Sequence, residues 1–153
     1  MKKFLENVFG AKKPVSDEGA DVGHDIQVAT AALLVEIAGS DDNFAPEERE
    51  AIIRNLKSYF NLTQDEVEEI IAAGKEQLER RLDLYYFAQQ INRHFDRGRK
   101  IAIIEMVWRV IYSDNHLSGH EDHLAHRFAR LLRLDHSELI DAKLRVKQER
   151  DAT

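Results

Sequence analysis

Two short acidic stretches carry the side chains best suited to chemistry. The first reads Ser40-Asp41-Asp42-Asn43-Phe44-Ala45-Pro46-Glu47-Glu48, the second Ser113-Asp114-Asn115-His116-Leu117-Ser118-Gly119-His120-Glu121. Each follows a strongly apolar, helix-like run, sets an Asp at its end and a Glu seven residues later. Carboxylates, Asn43 and loop carbonyls are hard oxygen donors, the set that Ca²⁺, Mg²⁺ and Mn²⁺ take. Asp41, Glu48, Asp114 and Glu121 are therefore the candidate metal ligands. The aspartates sit where the unpaired carbonyls of a helix C-terminus already make the field negative, which disfavours a carboxylate by ~0.3–1 kcal/mol. A bound cation, or a neighbouring Lys or Arg, would relieve it. Turn and cap chemistry is the other reading. Ser118 to Glu121 has the form of a capping box, and Asx turns suit Asp and Asn. Ala45 has no hydroxyl, so Glu48 would be only half of such a box. Both readings stay open. The spacing is not that of an EF-hand loop.

His116, His120, His123 and His126 crowd the second stretch. Imidazoles suit zinc or nickel, but no His-Glu-x-x-His is present and the first stretch lacks the feature, so a solvated polar helix face is expected. There is no Gly-rich phosphate loop, no Gly-x-Ser-x-Gly and no thiol, since the chain has no cysteine. No catalytic residue and no organic cofactor site is expected, and the chain reads as a non-enzyme.

The two stretches belong to an internal repeat. A shift of 73 lays Asp41 on Asp114, Phe44 on Leu117 and Glu48 on Glu121; a shift of 72 then lays Leu62 on Leu134, Thr63 on Asp135 and Glu66 on Glu138. The elements around them are helical. Ile26, Ala29, Leu33 and Ile37 keep helical spacing after a cap at Asp25, and Gly39 stops that helix. Pro46 opens a second, with Ile52, Ile53, Leu56, Tyr59 and Phe60 inward. Thr63 and Glu66 form a capping box for a third, through Val67, Ile70 and Ile71 toward Leu78. A fourth carries Leu84, Phe87, Ala88, Ile91 and Phe95 inward, either continuous with the third or separated near Asp83. From Asp96 a second copy begins. Its helix from Gly98 to Tyr112 is apolar nearly all round, with Glu105 and Arg109 spaced to pair. Leu124, Phe128, Leu131 and Leu132 mark the next helix. Asp135 to Glu138 caps the last, through Leu139, Ile140 and Leu144. No stretch alternates with period two.

The expected fold is all-α: one domain of about seven helices, built from two pseudo-twofold-related repeats around two central helices. Residues 1–24 read as an N-terminal segment and linker, 25–147 as the domain (repeats at about 25–80 and 97–147), and 148–153 as a charged tail expected to fray. A chain of 153 residues with 43% apolar content can bury a real core. Its net charge of −6 disfavours general nucleic-acid binding. No run is long enough to cross a membrane and no secretion signal is evident, so the expected location is the cytoplasm. Residues 1–13 place Phe4, Leu5, Val8 and Phe9 on one side of a short helix flanked by four lysines. Two readings are weak contact with an anionic membrane surface, or a frayed end.

The repeat, together with Asp83-Leu84-Tyr85-Tyr86-Phe87, Asn92-Arg93-His94-Phe95 and Trp108-Arg109-Val110-Ile111-Tyr112-Ser113-Asp114, resembles the tellurite-resistance TerB family and its TerB-like domains, in particular a stand-alone bacterial branch. The resemblance spans about Asp25 to Lys147. It implies an all-helical fold of two related halves, acidic residues proposed to bind metal, and a role in stress or chemical-insult response, with a place at the inner face of the membrane. On matching positions those acids are Asp41, Glu48, Asp114 and Glu121. The family's usual loop has Gly after the Asp; here Asp42 and Asn115 stand there, and both tolerate a left-handed backbone. The resemblance supplies no reaction. The alternative to a metal is a protein partner docked on the acidic surface and helix grooves, with the loops as turns; neither that partner nor the oligomeric state follows from the residues.

Overall fold

The computed structural model describes residues 17–39, 45–80, 83–114 and 119–152. Among them the chain forms seven α-helices and no strand: α1 (Asp17–Ile37), α2 (Pro46–Phe60), α3 (Gln64–Glu79), α4 (Leu84–His94), α5 (Arg97–Ile111), α6 (Gly119–Leu131) and α7 (His136–Ala152). A 3₁₀ turn, Tyr112–Asp114, extends α5. Two helices are buried nearly all round, as their apolar runs require. In α1 the residues from Ile26 to Val35 are within 5% of full burial. In α5 Ile103, Ile104, Met106, Val107, Trp108, Val110 and Ile111 are equally enclosed. These two helices pack on each other at the centre. Each large side chain fully removed from water there contributes roughly 1.5–3 kcal/mol.

The surrounding helices obey the repeat. Exchanging α1 with α5, α2 with α6 and α3 with α7 turns each contact into another that exists. The pair α1–α2 maps to α5–α6, α1–α3 to α5–α7, α2–α3 to α6–α7, and α2–α5 to α1–α6. Helix α4 alone has no image; it packs on α1 and α6. The repeat also reaches the backbone. Asn61 and Arg133, 72 apart, are the two described non-glycine residues with positive φ, at 55° and 61°. Each ends a helix the same way: Leu62 N–H donates to Lys57 O at 3.1 Å, and Leu134 N–H to Ala129 O at 2.9 Å. The next helices are then opened alike. Glu66 Oε1 accepts the Thr63 N–H at 2.9 Å, and Glu138 Oε1 accepts the Asp135 N–H at 2.7 Å.

Several boundaries differ from the sequence expectation. Helix α1 begins at Asp17, so residues 17–24 are helix rather than linker, and Asp25 is an interior, exposed residue rather than a cap. Gly19 and Gly23 each cost about 1 kcal/mol in a helix, which the buried run that follows outweighs. Helix α3 ends at Glu79 and α4 starts afresh, with the Asp83 carboxylate accepting the Tyr86 N–H at 3.0 Å. Helix α7 runs to Ala152, so the stretch 148–152 continues the last helix; its Gln, Glu, Arg and Ala are good helix formers. Its inward face is Leu139, Ala142 and Val146, while Leu144 is half-exposed.

Glycine in α3 has a packing reason. A Cβ at Gly74 would stand 3.0 Å from Ala32 N and 3.2 Å from Ala32 Cα. Helix α3 crosses α1 backbone to backbone at that point.

Candidate functional site

The repeat puts both loop glutamates at the same helical position. Glu48 is the third residue of α2 and Glu121 the third of α6, and these helices are images of one another. Glu48 Oε1 accepts the Ala45 N–H at 3.1 Å. With no hydroxyl on Ala45, this is half of a capping box, as the residue types require. Glu48 is only 7% exposed, whereas Glu47 beside it is exposed. The remaining acids are less fully placed. Asp114 closes the 3₁₀ turn at the end of α5; its side chain and that of Glu121 lie outside the described ones. Asp41, with Asp42 and Asn43, lies outside the described residues. Among the described residues no group of three or more His, Asp or Glu is arranged to hold a metal ion.

Of the histidines, His116 lies outside the described residues and the side chain of His120 outside the described side chains. His123 is exposed. His126 is turned toward its own helix, with Nδ1 2.9 Å from Asp122 O, and its ring lies 5.6 Å from that of His136. The described imidazoles thus form a polar face.

Arg109 takes partners that helical spacing does not suggest. Glu105, four residues before it, is 3.8 Å away, but the closer bonds go to Glu149 and to Asn55 Oδ1, the latter at 3.1 Å. The sequence marked Arg109 through its spacing four residues from Glu105 on a largely apolar helix. The partners lie 40 and 54 residues away, and no local pattern names them. Tyr85 and Tyr86, neighbours at the start of α4, are 56% and 43% exposed; with Leu144 they are the exposed large hydrophobic residues among those described. The lysine-flanked segment 1–13 lies outside the described residues. No described helix is long and apolar enough to cross a membrane.

Comparison with known proteins follows the same lines. A family model described as tellurite resistance protein TerB matches residues 27–144. No curated protein matches. Among solved structures, a protein of unknown function, PG1108 from Porphyromonas gingivalis W83, is similar in fold. It has a TM-score of 0.62 and 18% identity, over 82% of this chain and 95% of that one.

Proposed function

The chain belongs to the TerB family, and on that premise we propose that it is a non-enzymatic domain holding a divalent cation, Ca²⁺, Mg²⁺ or Mn²⁺, at its paired acidic loops. Asp41, Glu48, Asp114 and Glu121 are the ligands in this reading. The paired placement of the acids supports it: Glu48, 7% exposed at the edge of its acidic loop, and Glu121 occupy the same third position of image helices. The Ala45 N–H donates to Glu48 Oε1, and a hard cation is a further partner that carboxylate oxygens suit. The image position of Glu121 offers the second loop the same chemistry. Each loop also leaves the C-terminal end of a buried central helix, where a cation is favoured by the helix dipole. The family's description, tellurite resistance, supports a role in the response to chemical stress.

Thermal denaturation tests the reading. Millimolar Ca²⁺, Mg²⁺ or Mn²⁺ is expected to raise the Tm of the full chain, because a ligand at 100 times its Kd stabilises by about 2.7 kcal/mol. The rise is expected to vanish in Asp41→Ala/Asp114→Ala. A Tm that none of the three ions moves removes cation binding.

Tyr85 and Tyr86 favour a second reading, an interaction module in which the loops are turns. Exposed tyrosines are frequent anchors at protein interfaces. On that reading no ion moves the Tm, neutralising the four acids leaves stability intact, and Tyr85→Ser/Tyr86→Ser removes a binding partner without changing Tm.

A further inference from the structure

A cleft of about 580 Å³ opens between α2, the end of α5 with its 3₁₀ turn, and α7. Its charged lining is Arg54, Arg109, Arg150 and Glu149. Three arginines and one glutamate thus share one cleft, in a chain whose net charge is −6. The guanidinium groups are differently engaged. Arg109 is fixed: Glu149 takes its Nε and Nη2, and the buried Asn55 takes Nη1. Arg150 lies over the Tyr112 ring, 5.3 Å from its centroid. Arg54 is exposed and has no ion-pair partner among the described residues. Ser58 lines the same space.

The cleft is where the two copies part. With the shift of 72 that superposes the helix caps, Val146 on α7 takes the place of Gly74 on α3. At Gly74 the helix lies directly on the backbone of α1. At the matching point α7 carries a buried valine, and Val146 lines the cleft. The sign of the charge changes too: a shift of 73 sets Arg109 on the position of Glu36.

We propose that this cleft binds a small phosphoryl-bearing ligand. Guanidinium groups offer paired N–H donors that match phosphate oxygens, and each such bond is charge-assisted. Clefts of a few hundred Å³ are the size that small ligands occupy. The site has no aromatic face open for a nucleobase, because Tyr112 is buried between the Trp108 ring, 6.1 Å away, and the Arg150 guanidinium. The ligand is therefore a phosphate or phosphate ester, free or on a lipid headgroup. This binding is independent of the cation reading above and uses none of its residues.

Inorganic pyrophosphate is the first probe, titrated into the full ¹⁵N-labelled chain with EDTA present so that the acidic loops take no part. Saturable shifts of the Asn55, Tyr112 and Ser113 amides are expected. Arg54→Ala and Arg150→Ala, both at exposed positions, are each expected to weaken affinity by about tenfold, the worth of one charge-assisted bond. Arg127→Ala, on the exposed side of α6, is expected to leave it unchanged. Sedimentation with phosphatidylcholine vesicles, with or without phosphatidic acid, assigns the source. Co-sedimentation that needs phosphatidic acid and is lost in Arg54→Ala/Arg150→Ala points to a lipid headgroup; pyrophosphate binding without it points to a free phosphoryl group. Shifts that NaCl reproduces at equal ionic strength, or affinity equal in all variants, overturn the proposal.

Discussion

Arg109 on α5 and Glu149 on α7 share two parallel N–H···O bonds, Nε to Oε1 at 3.0 Å and Nη2 to Oε2 at 2.8 Å. With Nη1 bound to Asn55 on α2, one guanidinium joins three helices. The bond from Arg109 lowers the pKa of Glu149; partial burial opposes this and the arginine's charge adds to it. A carboxyl group depressed in the folded state contributes stability that is present above its unfolded pKa and lost as pH falls through the folded one. Glu149 is 51% exposed, so solvent screening holds the pair to under about 1 kcal/mol. Glu149→Gln is expected to lower the unfolding free energy by less than that at pH 7. The gap to the native chain is expected to close as the pH drops through and below the ordinary glutamate range, about 4.3. Urea denaturation across that range is the measurement; a gap that widens in acid contradicts the assignment.

Gly74 supplies a second expectation. Replacing glycine inside a helix by alanine gains about 1 kcal/mol of helix propensity. Here the added methyl meets the Ala32 backbone at 3.0 Å and Val28 O at 3.4 Å, and backbone cannot swing aside. Overpacking of this kind costs roughly 1–3 kcal/mol. Gly74→Ala is therefore expected to be neutral or destabilising instead of stabilising, and Gly74→Leu to lose more. A clear rise in Tm for Gly74→Ala would mean that α3 sits farther from α1 than described.

The helices were legible in the sequence wherever local chemistry decides them. Thr63 with Glu66, Pro46, Gly39 and the stripe Leu84, Phe87, Ala88, Ile91 and Phe95 each act within a few residues of themselves, and each stands where its type predicts. The start of α1 was hidden because Gly19 and Gly23 look like a linker, although the helix of the buried run from Ile26 reaches back through them. The inward face of α7 was hidden because Leu144 is more apolar than Ala142, yet packing against α5 chooses the face through Val146. The partners of Arg109 depend on tertiary contact alone. As for the acidic loops, the sequence shows that Glu48 and Glu121 are equivalent, and the fold places both at the third residue of image helices.

Arg133 shows what the repeat imposes on a residue ill suited to it. Its φ of 61° lies in the left-handed region, which costs a side-chain-bearing residue about 1–2 kcal/mol. Asn61, its image, tolerates that region better. Arg133 also adds to the positive surroundings that, behind desolvation and Arg97, hold down the pKa of Lys100. Arg133→Gly removes both strains and adds some unfolded-state freedom, so a net gain of up to about 1 kcal/mol is expected. Asn61→Gly is expected to gain less. Equal or reversed effects in chemical denaturation would show that the two caps are not equivalent.

Glu48 can be made to separate its two roles. Glutamine keeps an oxygen that can accept the Ala45 N–H and removes the charge; alanine removes both. If capping is the whole role, Glu48→Gln stays within about 0.5 kcal/mol of the native chain, and Glu48→Ala loses about 1 kcal/mol, the usual worth of a helix-start bond. Divalent ions then act on neither. If the carboxylate also holds a cation, the ion-free stability follows that same order, but the Tm rise with Ca²⁺, Mg²⁺ or Mn²⁺ is lost in Glu48→Gln as fully as in Glu48→Ala. The cation reading expects the second pattern. Melting curves of the three chains, with EDTA and with each ion, decide it: a full ion response in Glu48→Gln would leave Glu48 as a helix cap and nothing more.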